Sequence, residues 1–209
     1  DLDRIGQASL IGSLILGIYV ALHAGPWLWL HLAIGVWAAL AYSLPPLRLS
    51  SKPLLGEWLC AWPALIAACS STYYIATGQL AWRNLLAGGL HGVFCLGWLL
   101  EHHLSDIPAD LAAQPPKITT VAYTARRWGW KAAPLIPALY FLSAIPLAVL
   151  FKYYSPAVSW EVLISAGLAV RAAAVALKTQ VTSIPDITRR ENQLTVITFL
   201  HALWLMIIA

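Results

Sequence analysis

Seven apolar segments, at about 8–23, 27–44, 57–77, 82–101, 132–152, 157–178 and 193–209, take up most of this chain. Each approaches the roughly 20 apolar residues with which a helix crosses a bilayer core. Backbone in lipid must satisfy its own N–H and C=O groups, which leaves helices and closed barrels as spanning structures. Unbroken runs of this length select helices, and no stretch reads as a strand. The chain is therefore predicted to be all-α, a polytopic transmembrane helix bundle forming one domain over residues 1–209. Composition agrees, since 60% of residues are apolar and 11% charged, far from the balance of a soluble domain.

Gly25-Pro26, Pro45-Pro46, Gly78, Pro115-Pro116 and Ser155-Pro156 punctuate the segments, as helix-ending residues should. Pro63, Pro137 and Pro146 fall inside segments and are expected to bend them, opening space between helices. Cys60, Cys69 and Cys95 lie in apolar runs without a C-x-x-C pair or a metal-ligand spacing, and read as small buried residues.

Lys and Arg divide unevenly between the two ends of the segments. One side collects Arg4, Arg48, Lys52, Lys117, Arg126, Arg127, Lys131, Lys178, Arg189 and Arg190, and the other has Arg83 and Lys152. This asymmetry orients the first side toward the cytoplasm. A net charge of +4 spread through short loops argues against nucleic acid as a partner and for the lipid bilayer. Arg171 belongs to neither side, because it stands about 10 Å of helical rise inside the sixth segment. It either snorkels or faces a polar cavity. The chain opens with Asp rather than Met, which we read as a processed chain or a piece of a longer protein.

The longest polar run extends from Glu101 to Trp130, with Lys131 just beyond. Asp106 and Asp110 stand four residues apart there, followed by Lys117, Arg126 and Arg127. Two carboxylates at that spacing can converge on one divalent cation through oxygen ligands, and a nearby Lys can meet the phosphates such a cation carries. The same residues also read as a solvated loop in which Asp106 caps a short helix opening at Ile107-Pro108.

The loop between the second and third segments reads Tyr42-Ser43-Leu44-Pro45-Pro46-Leu47-Arg48-Leu49, then Leu55-Gly56-Glu57. With Asp106-x-x-x-Asp110 and Lys117-Ile118-Thr119-Thr120 it resembles the UbiA superfamily of intramembrane prenyltransferases, over essentially the whole chain. The resemblance implies a nine-helix fold, of which about seven spans are present, and a second Asp-rich motif at Asp106 and Asp110. It places the first Asp-rich motif upstream of Asp1, so the prenyltransferase-like domain is expected to be truncated and inactive by itself. Gly56-Glu57, Ser71-Thr72-Tyr73-Tyr74, Thr77-Gly78 and His102-His103 are similar to the branch that prenylates 1,4-dihydroxy-2-naphthoate for menaquinone or phylloquinone. Leu111, where the family has a basic residue, and the longer Gln114-Pro115-Pro116 approach to Lys117 depart from its pattern.

The resemblance implies Mg²⁺-dependent transfer of a polyprenyl group from an allylic diphosphate to an aromatic acceptor, in an integral protein of a prokaryotic inner membrane. Asp106 and Asp110 are the expected metal ligands. Lys117 and Arg48, then Arg126, Arg127 and Arg171, are the expected phosphate-side residues. Tyr42 would face the developing allylic cation, and His103 or His102 would accept the acceptor's proton. Other readings stay open: a different quinone precursor or chlorophyllide as acceptor, a transporter or non-catalytic membrane scaffold, and a haem carrier using His31, His91 and His201.

Overall fold

The computed structural model describes residues 2–154 and 160–208, and every regular element among them is helical. Ten α-helices run in chain order: α1 Leu2–Ala24, α2 Trp27–Ser43, α3 Glu57–Thr77, α4 Trp82–His102, α5 Ile107–Ala112, α6 Thr120–Trp128, α7 Leu135–Leu142, α8 Ala144–Tyr154, α9 Glu161–Ala176 and α10 Ile184–Ile208. Five stretches, Arg4–Ala24, Glu57–Thr77, Trp82–His102, Trp130–Tyr154 and Ile184–Ile208, are long and apolar enough to cross a membrane. α2 and α9 are apolar but shorter, at 17 and 16 residues. Each of the seven predicted segments is mainly helical over its described residues, with turns at Ala133-Pro134 and Ser143 inside the fifth and non-helical residues at the edges of the second and sixth. Ser155-Pro156 and the start of the sixth segment at 157 lie outside the described residues, as do Asp1 and Ala209.

Prolines shape the helices by removing donors. Pro63 has no N–H for the Leu59 carbonyl, and the chain answers twice. The first turn of α3, Glu57–Ala61, is a π-helix, and the Trp37 indole on α2 donates to the Leu59 carbonyl at 3.0 Å. Pro146 likewise offers nothing to Leu142, and the fifth segment divides there into α7 and α8, with Ser143 donating its hydroxyl to the Tyr140 carbonyl at 2.6 Å. Pro137 behaves differently from expectation. It occupies the first turn of α7, where an N–H has no helical partner to lose.

α4 is the axis of the bundle and packs against α3, α7, α8 and α10. Its glycines permit this closeness: a Cβ at Gly97 would stand 2.9 Å from the Phe141 ring, and one at Gly92 would stand 2.9 Å from Trp62. Phe94, Phe141 and Phe151 fill the centre against a run of α9 alanines, Ala169, Ala172, Ala173 and Ala176. A second core of Leu96, Leu100, Leu104, Ile107, Val121 and Ile187 lies toward the polar end. α1 packs chiefly on α2 and leaves Ile5, Ile11, Ile15 and Leu22 exposed.

α10 opens at Ile184, nine residues before the predicted apolar segment begins. Ser183 accepts the Asp186 N–H at 3.4 Å, and Asp186 accepts the Gln180 N–H at 2.9 Å. Ser183 thus caps the first turn while Asp186 reaches back to the preceding turn, which starts the helix among charged residues, where hydropathy gives no signal. Asp186 also pairs with Arg189 and Arg190.

Candidate functional site

Three connections gather at one end of the bundle. The Thr120 hydroxyl, at the head of α6, accepts the Leu54 N–H at 2.8 Å and donates to Glu57 at 2.5 Å. One side chain thereby ties the α2–α3 loop, the start of α3 and the start of α6. The Thr179 hydroxyl, in the α9–α10 turn, donates to Glu101 at the end of α4. Glu57, Glu101, Thr119, Thr120 and Thr179 are all buried, and buried carboxylates need such partners.

Asp110 lies inside this arrangement and is buried. Its carboxylate takes the Lys117 ammonium at 3.4 Å and the Thr119 hydroxyl at 3.3 Å. Its backbone carbonyl accepts the Lys117 N–H at 2.9 Å, folding residues 113–117 back over α5. Thr119 is also the N-cap of α6, accepting the Ala122 N–H at 3.3 Å. Asp106 stands one helical turn before Asp110, whose N–H donates to the Asp106 carbonyl at 2.8 Å. α5 does begin at Ile107, but the Asp106 side chain makes no cap. Its backbone is already helical there, and among the described residues the carboxylate accepts only the Ser105 hydroxyl, at 3.4 Å. Asp106 is half-buried and less committed than Asp110.

Tyr42, half-buried at the end of α2, lies within electrostatic reach of both Glu57 and Asp110. Tyr140 of α7 approaches from the other side and also feels Glu57. It stacks on Trp58 with ring centroids 5.6 Å apart, and its buried hydroxyl has no partner among the described residues. His103 is half-buried, and its Nδ1 has no partner among the described residues. Burial, and next the charge of Lys117, hold its pKa below the ordinary imidazole value, so it is neutral at pH 7. His102 instead faces solvent and meets Glu191 at 3.0 Å.

The other predicted cations stand apart from the acidic pair. Arg48 is exposed in the α2–α3 loop with a left-handed backbone, φ 41°. Arg126 and Arg127 are exposed in the last turn of α6. Arg171 is exposed on α9.

No group of three or more His, Cys, Asp or Glu side chains able to hold a metal occurs among the described residues. Two carboxylates a helical turn apart still match Mg²⁺, which is commonly held by one or two carboxylates together with waters and substrate phosphates. The half-buried Asp106 carboxylate, with its single long contact, has acceptor capacity to spare.

Compared with protein-family models, curated proteins and solved structures, the chain matches none. Its functional reading therefore rests on its own residues and on the motif resemblance.

Histidines inside the bundle are engaged with other groups. His91 and His201 meet Nδ1 to Nδ1 at 3.1 Å with ring planes 17° apart, so one ring donates its N–H to the lone pair of the other. His31 bonds to the Trp27 carbonyl at 2.7 Å and to Ser70 at 2.8 Å. The His91–His201 and His31–Ser70 contacts join different helices, the His31–Trp27 bond lies within α2, and no opposed pair of free imidazoles for haem iron occurs among the described residues.

Sequence reasoning singled out Asp106, Asp110, Lys117, Tyr42 and His103 and missed Glu57, Thr119, Thr120 and Tyr140 as members of the same site. Glu57 had a readable signal, being a lone carboxylate at the head of an apolar run. Tyr140 had none, lying inside an apolar run with no polar neighbour closer than Ser143.

Proposed function

We propose that this chain is the membrane-embedded body of a prenyltransferase that moves a polyprenyl group from an allylic diphosphate to an aromatic acceptor, 1,4-dihydroxy-2-naphthoate or a related quinone precursor. The observation that carries this reading is the Thr120 junction. It brings the Tyr42 loop and the Asp110–Lys117 loop, distant in sequence, to one end of the helices. Those loops are the ones whose motifs resemble the prenyltransferases.

Transfer requires the allylic C–O bond to break with its electron pair leaving on the diphosphate. A bond then forms from the acceptor ring to the allylic carbon, and the ring loses a proton. Bound Mg²⁺ would neutralise the leaving diphosphate, with Asp106 and Asp110 as its protein ligands. Lys117 offers the fixed positive charge that such a leaving group needs. Tyr42 supplies an aromatic face beside the acidic pair, where positive charge on carbon is favoured. His103, neutral and with Nδ1 unpartnered among the described residues, is equipped to take up the ring proton. In this reading the apolar helices span a bilayer and the polar end is cytoplasmic.

The experiment is diphosphate release and prenyl transfer measured on the full-length protein in membranes, with Mg²⁺ and several aromatic acceptors. Asp106→Ala and Asp110→Ala are expected to abolish both while membrane insertion persists. Full activity in both variants would sink the metal assignment. The Asp110–Lys117 ion pair favours one second reading, a non-catalytic membrane scaffold in which the pair only ties the loop. That reading is sustained if the unmodified protein releases no diphosphate from any allylic donor.

A further inference from the structure

α6 has two unlike faces. Val121, Ala122, Thr124 and Ala125 are buried against the bundle. Tyr123, Arg126 and Arg127 recur on the opposite side at the i, i+3, i+4 spacing of one helical face, and all three are exposed. Gly129, at φ +89°, turns the chain into the Trp130–Ala132 turn, where Trp130 and Lys131 are exposed as well. Trp128 is 65% exposed and meets Tyr123 edge-on, ring centroids 6.1 Å apart. The result is a strip of three cations and three aromatic rings.

None of the three cations forms an ion pair among the described residues, whose salt bridges involve Lys117, His102, Arg189 and Arg190. The chain itself offers them little locally, since no Asp or Glu occurs from Leu111 to Trp160. Uncompensated Arg and Lys beside exposed indole and phenol rings match the layer where apolar tails give way to phosphates. The rings suit the boundary, and guanidinium forks suit phosphate oxygens.

We propose that this strip is a binding surface for the headgroups of anionic phospholipids. It requires that the apolar helices cross a bilayer, and it does not depend on the transfer reaction. Because Thr119 both caps α6 and donates to Asp110, lipid phosphates held at the far end of α6 would seat the helix that braces the acidic site.

The test uses the full protein in nanodiscs of phosphatidylcholine mixed with phosphatidylglycerol, with native mass spectrometry counting the lipids retained. The expected result is enrichment of phosphatidylglycerol that weakens about fivefold for each charge removed in R126Q, R127Q and K131Q. K152Q, which alters a cation of the opposite end, should leave the enrichment unchanged. Since the altered side chains are exposed, the triple variant is expected to fold. If it does not, the unmodified protein carries the test, because its enrichment must fall as salt rises from about 0.15 to 1 M and the screening length shrinks. Equal retention of the two lipids, or enrichment untouched by the triple variant or by salt, overturns the proposal. Retention of inorganic diphosphate at the strip without any lipid preference also overturns it, in favour of a soluble phosphate ligand.

Discussion

Thr120 and Glu57, 63 residues apart in sequence, meet at 2.5 Å. The contact is buried, and the same hydroxyl accepts the Leu54 N–H. Thr120→Val keeps the shape of the side chain but leaves one buried carboxylate and one backbone N–H unpaired, so it is expected to cost about 1–3 kcal/mol. Thr120→Ser retains both bonds and should cost little. Thermal unfolding followed by fluorescence-detected size exclusion separates the two, and equal melting points would refute the junction.

Lys117 compensates Asp110 at 3.4 Å. Lys117→Met removes that charge and, in the proposed reaction, the fixed cation facing the leaving diphosphate. Diphosphate release should slow by about a hundredfold, the scale of losing one preorganised stabilising group. Lys117→Arg should recover part of the rate. Single-turnover release of diphosphate measures it, and an undiminished rate in the Met variant removes Lys117 from the site.

His103 has its pKa held below that of an unfolded histidine, by burial first and by Lys117 second. The unfolded chain therefore binds a proton before the folded chain does. Folding stability is expected to be unaffected by this residue above about pH 6.5 and to decline as pH falls from there toward the folded value. His103→Gln should flatten that part of the profile. Unfolding midpoints from pH 7.5 down to 5.5 test it, and superimposable profiles contradict the assignment.

Trp37 supplies the donor that Pro63 withholds from the Leu59 carbonyl. Trp37→Phe is expected to cost about 1 kcal/mol through that orphaned carbonyl. In a Pro63→Ala background the Ala N–H can take over, and the same substitution should cost measurably less. A double-mutant cycle in melting free energy reads the difference, and strict additivity would mean that the indole contact contributes nothing.

Hydropathy located the helices because lipid-length apolar runs admit few alternatives, and the seven segments appear where periodic polarity ends. It missed features set by single hydrogen bonds. The start of α10 is specified by Ser183 accepting the Asp186 N–H and by Asp186 accepting the Gln180 N–H, amid charges that read as loop. The division at Ser143 was half visible in Pro146, whose effect was expected as a bend. At the site, the motif residues were legible, but their mutual positions depend on Thr119 and Thr120, whose roles follow only once α6 packs against α3 and α5. Arg126 and Arg127 show the limit of counting charges: they sit close to the acidic pair in sequence, and the helical twist of α6 presents them elsewhere.

The Thr120 junction also bears on the order in which a nascent chain can become competent. A hairpin of α3 and α4 delivered into lipid before the rest is synthesised would hold Glu57 at its entrance without the hydroxyl that later covers it. Only after α4 has been threaded and residues 103–120 have returned to the same surface is that carboxylate sealed. The chain must therefore be made past Thr120 before this end of the molecule can close, since one hydroxyl joins all three segments.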